Sequence, residues 1–521
     1  MSRGTPACWR RTLSSGGESQ IAKIIWKGGL PTANVELNGI NIISEDERQG
    51  APRSLFWPWF ASNISVLGLS YGAFVLGFGI SFWQATIAGL IGIVLSFLLV
   101  GFIAVAGKRG AAPTMVLSRA AFGVRNKLPA VLSWILCVGW ETVLAALAVE
   151  ATATVFGRLD WGSGSLVKVI ALIVVVALIV AGGIMGFDVL MKIQGVITVI
   201  TGILTIGFIV LTLNKIHWAS VLSQKPGNIE DMIGGLILMF SGFGLGWVNA
   251  GADYSRYLPR KVSSGAVVGW TTFSASLGPA VLLIFGLLLA GSSQSLSTAV
   301  SANPIGALAA LLPTWFLVPF VIVAVLGLVG GADMDIYSSG LALLSAGLRV
   351  PRYVASGIDG VLMVVGTIYI VFFSPQNFLG PFEGFLISIG VPIAAWCGVM
   401  LADIALRRKS YSDADLYKPS GIYGGVNWLA TFLVVLGTFL GWGTVVNTSA
   451  SWLSWQGYLL GPLGLGGKTG VWAYGNLGVV LALLLCFLGW LLFGRTAVRR
   501  QEAAQHGNQA QQGKIETAPN P

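Results

Sequence analysis

Charged side chains are scarce in this sequence of 521 residues. Asp, Glu, Lys and Arg together make up 10%, whereas hydrophobic residues make up 55%. A soluble domain carries about 25% charged residues, so the composition excludes one and predicts a polytopic membrane protein. Histidine is scarce too, and both His217 and His506 lie outside the apolar segments. This argues against a membrane enzyme with a His-ligated metal.

Cysteine is equally rare, with Cys8, Cys137, Cys397 and Cys486 as its four positions. Three of them lie in apolar runs, and none has CxxC spacing. The sequence therefore predicts neither a disulfide framework nor a metal site. No other pattern calls for a prosthetic group, so we expect no cofactor beyond a transported ion.

Long apolar runs, by contrast, are abundant. Twelve are long enough to span a bilayer, and we number them TM1 to TM12 in chain order: 54–79, 84–107, 129–156, 165–186, 189–213, 232–254, 266–291, 314–343, 353–373, 378–402, 425–446 and 472–494. The flanking segments 1–53 and 495–521 are polar. We expect both to be cytoplasmic tails, the first partly disordered and without a cleavable signal peptide, the second disordered.

The distribution of lysine and arginine tests this topology. With the N-terminus inside, the inner segments hold 26 of the 31 basic residues and the outer segments hold 5. This bias follows the positive-inside rule and predicts a multi-pass protein of the cytoplasmic membrane with both termini in the cytoplasm. It also explains the net charge of +10, so we expect contact with the lipid bilayer and no nucleic-acid partner.

Five helices before the middle of the chain and five after it suggest internal symmetry. The two sets span 54–213 and 232–403, and because five is an odd number they enter the membrane from opposite sides. They can therefore form inverted repeats in which TM1 matches TM6 and TM3 matches TM8. TM11 and TM12, within 425–494, fall outside the repeat. We predict an all-α membrane protein of about twelve helices.

TM6 and TM1 are both interrupted in the middle. TM6 contains Gly242, Gly244 and Gly246, and each glycine costs a helix interior about 1 kcal/mol relative to alanine. TM1 contains small and polar residues, among them Ser65 and Gly68, to which we assign structural or gating roles. Interrupted helices at matching positions predict a transporter binding site.

Aromatic residues at mid-membrane depth suggest what this site binds. Phe243 and Trp247 lie four residues apart in TM6, so in a helix they share one face. Trp140 in TM3 lies between a glycine and Glu141. Most of the 19 tryptophans belong to interfacial belts or to packing, but these positions favour a small-molecule site with aromatic walls.

Acidic residues inside the apolar runs are functional candidates by default because they are costly there. They are Glu141 and Glu150 in TM3, Asp333 and Asp335 in TM8, and Glu383 in TM10. No Lys or Arg lies near the middle of these helices, so a carboxyl group there can carry a proton or face a bound cation. Glu141 and Asp335 lie in symmetry-related helices, and we expect both to face the central cavity.

The stretch from Asp253 to Tyr257 closes TM6 and carries Arg256. We expect a structural or gating contact there, with Arg256 or Arg119 as the partner of Asp253.

Other polar residues receive plainer interpretations. We expect Glu150 in a solvated vestibule and Asp359 and Asp403 at the interfaces. Asn249 can equally form an interhelical hydrogen bond, and Glu383 is open between a structural and a functional role.

Five segments resemble a known family, the nucleobase:cation symporter-1 family, and within it the purine-cytosine permease branch. They are SLFWPWFASNISVLGLSYGAFVLGFGISFW (54–83), GAAPTMVLSRAAFG (110–123), VGWETVLAALAVEA (138–151), SGFGLGWVNAGADYSRYLP (241–259) and DIYSSGLALLSAGLRVPR (335–352). The resemblance implies a leucine-transporter-like five-plus-five inverted repeat with two extra helices. It also implies symport of a nucleobase or related heterocycle with H⁺ or Na⁺.

The resemblance further implies a site in which a flat heterocycle stacks between aromatic residues of TM3 and TM6. Trp140 matches the first, and Phe243 or Trp247 the second, beside Gly242. The ring edge is bound by side chains at Asp335, where many relatives carry Asn, and at Glu141 or Leu144.

Two carboxylates at the ring edge bear on the choice of substrate. An ionised carboxylate accepts hydrogen bonds but cannot donate, so Glu141 and Asp335 favour amino-bearing bases such as cytosine, adenine or guanine. If either is protonated it can donate, and substrate and proton then bind together. Allantoin, hydantoin, uracil or a vitamin-type heterocycle is the alternative on the same fold.

The coupling ion is predicted from TM8. Sodium-coupled relatives place hydroxyl groups there, whereas this sequence has Val329 and Gly330 at the matching positions. This favours H⁺ over Na⁺, with Glu141, Asp333 or Asp335 as the carrier. A polytopic enzyme or a channel is the alternative of a different class, and we expect a monomer.

Overall fold

The protein is all-α in a computed structural model that describes residues 35–374, 379–448 and 451–516, without the side chains of 379–383 and 507–516. Within this part of the chain, ten helices are long and apolar enough to cross a membrane. Two shorter apolar helices, Leu67–Leu76 and Trp428–Trp442, belong to TM1 and TM11. The predicted set of twelve segments is therefore confirmed.

The helix bounds agree with the predicted runs to within a few residues at most ends. TM1 consists of two pieces and TM6 ends in a 3-10 turn. The bounds are Phe56–Ala61 with Leu67–Leu76 (TM1), Phe82–Gly110 (TM2), Leu128–Arg158 (TM3), Ser165–Met185 (TM4), Phe187–Thr212 (TM5), Ile229–Gly242 with Gly244–Ala250 (TM6), Ser264–Ser292 (TM7), Leu317–Ala346 (TM8), Arg352–Ile368 (TM9), Leu379–Leu406 (TM10), Trp428–Trp442 (TM11) and Leu477–Gly489 (TM12).

Helix ends are fixed by local signals in the sequence. TM2 begins with a capping box, in which the Ser81 hydroxyl accepts from the Gln84 backbone and the Gln84 side chain accepts from Ser81. Asn427 caps TM11 by accepting from the backbone of Ala430. Such caps satisfy backbone N–H groups that have no partner within the helix.

Helix packing follows the proposed symmetry. TM3 packs along TM8, and TM2 packs along TM7. Each of these four helices therefore contacts its own counterpart in the other repeat. The second piece of TM1 packs on TM7, and TM6 packs on TM2. Apolar side chains on TM4, TM5 and TM9 point away from the protein, as at Ile173, Ile203 and Val361. These three helices present the apolar surface that lipid requires.

Both polar tails contain ordered segments. Residues 35–53 are ordered against one end of the bundle, where the Ile43 backbone donates to Ala111; residues 1–34 lie outside the described residues. We call this end, at which TM2, TM6 and TM8 finish, the inner end. TM12 continues through a π-helical turn, Trp490–Gly494, into a helix over Arg495–Glu516. The expected disorder is therefore wrong for the described part of the second tail, whereas order over 35–53 is compatible with a first tail that is partly disordered.

Candidate functional site

The break in TM6 is where the sequence predicts it. The α-helix ends at Gly242, Phe243 takes φ −115° and ψ −104°, and a 3-10 turn begins at Gly244. The Gly244 N–H donates to the Ser96 hydroxyl of TM2 over 3.0 Å. A Cβ at Gly244 would lie 2.3 Å from the backbone of Ser96. The close approach of TM6 to TM2 therefore requires glycine at this position.

The break in TM1 lies opposite TM8. Its first piece ends at Ala61, and its second begins at Leu67. The Asn63 side chain donates to the Trp59 carbonyl over 2.9 Å and so satisfies part of the interrupted backbone. A Cβ on Gly327 of TM8 would lie 2.7 Å from the Ile64 carbonyl. TM8 therefore approaches the unwound backbone of TM1 closely.

A cavity lies between these two breaks and the middle of TM3 and TM8. Five predicted substrate residues line it, together with Ser65 and Gly68. Its lining is Ser62, Asn63, Ser65, Leu67, Gly68, Tyr71, Trp140, Leu144, Gly242, Phe243, Gly246, Trp247, Gly327 and Asp335. The site predicted from sequence is thus brought together, apart from Glu141.

Aromatic rings form much of the cavity wall. The Phe243 ring lies 4.6 Å from Tyr71 at 44° between planes. Trp247 packs edge-on against Trp59 of TM1 with centroids 5.7 Å apart. The Trp140 indole lies so near TM6 that a Cβ on Gly246 would be 3.2 Å from its Nε1. Both Phe243 and Trp247 line the cavity, so either can face a ring stacked on Trp140.

Tyr71 is the aromatic wall residue that the sequence interpretation missed. Helical spacing contains a signal for it, because Tyr71 follows Gly68 by three residues and so lies on the same face of TM1. Its hydroxyl is 3.5 Å from the Gly242 carbonyl at the break in TM6. Tyr71 therefore links the two interrupted helices.

Glu141 does not face the cavity, and the prediction that it does is wrong. The TM3 residues that line the cavity are Trp140 and Leu144, which lie one turn apart. Glu141 follows Trp140 directly, about 100° away around the helix, and points toward Ser339 and Asp359. Of the two positions that the resemblance left open for the ring edge, Leu144 is the one in the cavity.

Asp335 reaches the cavity from TM8 as predicted. Beside it lies the thiol of Cys137 in TM3, which accepts a hydrogen bond from the Asn249 amide over 3.2 Å. The same amide donates to Ser133 over 2.9 Å. Asn249 therefore makes the interhelical hydrogen bonds that were one of its two interpretations.

Asp333 lies on another face of TM8. A Cβ on Gly182 of TM4 would lie 2.7 Å from its Oδ1. The carboxyl group is fully buried and neither of its oxygens has a hydrogen-bond partner among the described residues. Asp333 is thus absent from the cavity lining and faces TM4.

Glycines of TM8 face the carbonyl groups of the TM1 break. The nearest atom to a Cβ on Gly330 is the Ala61 carbonyl oxygen, at 3.1 Å. The Gln194 amide of TM5 donates to the Gly330 carbonyl over 2.9 Å. At both Gly327 and Gly330, TM8 thus presents glycine, which has no hydroxyl group, to the TM1 carbonyls. Among the described residues no cluster of His, Cys, Asp or Glu is able to hold a metal.

Asp253 closes the inner end of TM6 through Thr114, and not through Arg256 or Arg119. Its Oδ1 accepts from the Thr114 backbone and hydroxyl, each over 2.8 Å. Arg119 instead donates to the Leu416 and Ser345 carbonyls. The predicted structural contact of Asp253 is present, but its arginine partner was wrong.

Arg256 pairs with the ordered N-terminal segment. It contacts Glu36 over 3.3 Å and the Tyr337 hydroxyl over 2.8 Å. Arg352 of TM9 approaches the same Glu36 carboxylate over 3.4 Å. The Tyr257 hydroxyl also donates a hydrogen bond to Glu36. Burial, aided by Glu36 and opposed by Arg256, raises the pKa of Tyr257 to about 12, so the hydroxyl remains a donor at neutral pH.

The remaining acidic residues differ in their exposure and in their partners. Glu150 pairs with Lys168 over 2.7 Å and is partly exposed, as a vestibule carboxylate should be. Asp403 is buried and paired with Arg407 over 3.0 Å. Asp359 is fully buried as well, so neither of these two side chains is solvated. The Glu383 side chain lies outside the described residues.

Comparison with known proteins extends over most of the chain. Residues 42–461 match the family profile described as permease for cytosine/purines, uracil, thiamine, allantoin. YxlA of Bacillus subtilis (strain 168), provisionally named a purine-cytosine permease, is 24% identical over 85% of this chain and 93% of its own. The purine-cytosine permease FCY2 of Saccharomyces cerevisiae is 23% identical over 90% of each chain.

Solved structures share the fold. The nucleobase-cation-symport-1 transporter Mhp1, closed with bromovinylhydantoin bound, superposes with a TM-score of 0.65 at 18% identity, covering 90% of this chain and 100% of that chain. A Na⁺-coupled sialic acid symporter in a substrate-bound outward-open state gives a TM-score of 0.57 at 13% identity, covering 86% and 91%. The leucine-transporter-like five-plus-five repeat with two extra helices is thereby confirmed.

Interrupted helices around a central cavity, the family profile and the relatives agree with one another. The chain is a multi-pass membrane transporter and not an enzyme, and it belongs to the nucleobase:cation symporter-1 family of permeases for cytosine/purines, uracil, thiamine and allantoin.

Proposed function

We propose that this transporter is a secondary active symporter that imports a nucleobase, cytosine or a purine above all, together with H⁺. The observation that carries the proposal is the cavity in which Trp140, Phe243 and Trp247 surround a space with Asp335 at its edge. Two relatives named purine-cytosine permeases support the same substrate class.

The cavity suits a flat heterocycle for physical reasons. A ring held between Trp140 and Phe243, or between Trp140 and Trp247, gains about 0.5–1.5 kcal/mol per aromatic pair beyond the area it buries. Gly242 and Gly246 leave room along the TM6 backbone for such a ring. Stacking alone does not distinguish one base from another, so specificity falls to the polar edge.

Asp335 is the acidic residue of the cavity lining, and its carboxyl group favours bases that present N–H groups. When ionised, its carboxylate can accept from the amino and ring N–H groups of cytosine, adenine or guanine. Uracil, allantoin and hydantoin also present carbonyls, which need a donor. They remain the alternative substrates, with vitamin-type heterocycles.

Coupling to H⁺ is supported by the composition of the TM1–TM8 contact. Sodium is bound by oxygen ligands, and Gly327 and Gly330 bring no side-chain oxygen to the TM1 carbonyls. Buried carboxyl groups on TM3 and TM8 can exchange a proton with the cavity or with the cytoplasm. We assign this exchange to Glu141 and Asp335, and give Asp333 a lesser part because it faces TM4.

The proposed orientation follows the basic residues. The inner end carries Arg256, Arg260, Arg352 and Arg407, and the positive-inside rule assigns such an end to the cytoplasm. We propose that the protein lies in the cytoplasmic membrane as a monomer with both termini in the cytoplasm.

A competition assay tests the substrate assignment. Uptake of labelled cytosine by cells that express the protein is measured against unlabelled purines, pyrimidines, hydantoins, allantoin and vitamin precursors. We expect cytosine, adenine or guanine to compete best. Competition by hydantoins or allantoin alone, or absence of cytosine uptake by a correctly inserted protein, would contradict the assignment.

A further inference from the structure

TM9 carries a buried carboxylate that the substrate site does not use. Asp359 is fully buried. Its Oδ1 accepts from the Trp134 indole of TM3 over 2.6 Å, and its Oδ2 accepts from the Ser339 hydroxyl of TM8 over 3.0 Å. Each oxygen thus has its own donor. Two donors and no acceptor are the environment in which an ionised carboxylate is stabilised.

Glu141 points from TM3 toward Ser339 and Asp359, but unlike the oxygens of Asp359, its own accept no hydrogen bond within the residues that the structure describes. It is fully buried, and neither carboxyl oxygen has a hydrogen-bond partner among the described residues. The Ser339 hydroxyl lies beside Glu141, and the carboxyl groups of Asp359 and Asp335 are near enough to interact with it electrostatically. Burial without a hydrogen-bond donor disfavours the ionised form of a carboxyl group and favours the form that carries a proton.

The surroundings supply no compensating positive charge. Within the described part of the chain, no Lys or Arg forms an ion pair with Glu141, Asp335 or Asp359. The other titratable groups nearby are Cys137 of TM3 and, in the stretch after TM6, Tyr254 and Asp253. The neighbouring helices present apolar groups at this level: TM4 places Val180 against TM9, and TM10 places Phe385 against TM3.

We propose that Glu141, Ser339 and Asp359 form the coupling-proton site of this transporter and that Asp359 is its inner member. For the transfer, the protonated Glu141 must turn to donate to the neighbouring Ser339 oxygen, while the Ser339 hydroxyl already donates to Asp359. Transfer moves the Glu141 proton to Ser339 as the Ser339 proton passes to Asp359. Ser339 ends unchanged, Glu141 is ionised and Asp359 is neutral, so one proton has moved and no other reactant is needed.

The site leads from the middle of the membrane toward the inner end. Glu141 lies thirteen residues after Leu128, the first residue of TM3, which corresponds to about 20 Å. Asp359 lies seven residues after the first residue of TM9, or about 10 Å from the same end. Asp335 lies in the cavity lining and also interacts electrostatically with Glu141. A substrate bound at Asp335 is therefore able to influence when Glu141 releases its proton.

This inference rests on the proposed function. Its test therefore measures proton coupling separately from binding and exchange of the substrate. Purified protein in liposomes is assayed in two ways: cytosine accumulation under an imposed proton gradient, and exchange of labelled for unlabelled cytosine without a gradient. Asp359→Asn, Glu141→Gln, Ser339→Ala and Ser339→Thr are compared with Ser276→Ala, a buried serine of TM7 remote from this site.

We expect Asp359→Asn and Glu141→Gln to lower gradient-driven accumulation roughly tenfold or more while exchange stays within about twofold of wild type. Ser339→Ala should show the same separation, and Ser339→Thr, which keeps the hydroxyl, should restore accumulation. Ser276→Ala should behave as wild type in both assays.

The contrary outcomes are distinct. If wild type neither accumulates nor exchanges cytosine, the proposed function fails. If wild type does both, and Ser339→Ala and Asp359→Asn accumulate cytosine as well as wild type, the proton site is wrong and the proposed function stands. If Asp359→Asn does not fold, the Ser339→Ala and Ser339→Thr pair decides the question alone.

Discussion

Single residues of the cavity determine what it binds, and the assignment of Trp140 to the substrate site is simple to test. Replacing Trp140 by alanine removes one aromatic face from the cavity, worth about 0.5–1.5 kcal/mol of stacking. We expect the apparent affinity for the transported base to fall by roughly two- to tenfold or more, since buried area is lost too. Inhibition curves of labelled uptake provide the measurement.

Trp83→Ala is the matched control, because Trp83 is 61% exposed on TM2 and distant from the cavity lining. It should leave the affinity unchanged. Equal affinities in Trp140→Ala and wild type would remove Trp140 from the site.

Asp335 gives a second prediction for a single residue. Asparagine has nearly the same shape but both donates and accepts, so Asp335→Asn should lose preference for amino-bearing bases and gain uracil. We expect the ratio of the uracil and cytosine inhibition constants to shift by about tenfold toward uracil, as for a gained or lost polar contact. An unchanged ratio, measured alongside Asp333→Asn on the TM4-facing side, would show that Asp335 does not read the ring edge.

Residue identity was easier to predict than residue direction. Trp140, Phe243, Trp247 and Asp335 reach the cavity as expected, because aromatic and acidic groups are unusual at mid-membrane depth. Glu141 does not, although it adjoins Trp140. TM3 buries residues around most of its circumference, so its hydrophobic periodicity did not show which side faces the cavity. The contacts with TM8 and TM9 decide this, and they are formed only in the folded protein.

Interrupted helices are the elements on which the site depends, and Gly244 makes the sharpest test of one. In Gly244→Ala the new methyl group would meet the Ser96 backbone at 2.3 Å. TM6 must then move away from TM2, and overpacking of this kind costs about 1–3 kcal/mol. We expect a lower melting temperature and a large loss of uptake, measured by differential scanning fluorimetry and transport.

Gly269→Ala in TM7 is the control, since a Cβ there meets nothing within 4 Å. It should be neutral or slightly stabilising, because alanine favours helix by about 1 kcal/mol. If both variants melt and transport alike, the close contact at Gly244 is not required.

Elements formed by polar sequence were harder to predict than apolar ones. The breaks in TM1 and TM6 were foreseen because glycine and polar residues mark them. The helix at Arg495–Glu516 was not, because nothing apolar demands it. Glu502 accepts from the backbone of Arg408 over 2.7 Å, and Gln501 accepts from Arg407 over 2.9 Å. These contacts with a segment about ninety residues earlier in sequence hold the helix, and no local pattern shows them.

At the scale of the whole molecule, Glu36 makes contacts that join separate parts of the chain at the inner end. This carboxylate lies between Arg256, Arg352 and Tyr257, and therefore joins the N-terminal segment to TM6 and TM9. Removing its charge in Glu36→Gln leaves two buried arginines without their counter-ion, which costs about 3–5 kcal/mol in comparable buried pairs. We expect a clear drop in melting temperature.

The exposed carboxylate of the same segment supplies the control: Asp46→Asn should melt as wild type does. A Glu36→Gln protein with wild-type stability would mean that the inner end holds together without the N-terminal segment.

The complete transporter is proposed to import a nucleobase together with a proton, and uptake driven by a proton gradient measures this activity. Purified protein in liposomes is given labelled cytosine in sodium-free buffer with the outside more acidic than the inside. We expect cytosine to accumulate above its external concentration and a protonophore to abolish this accumulation. Absence of uptake in this buffer, with robust uptake once a sodium gradient replaces the proton gradient, would contradict this expectation.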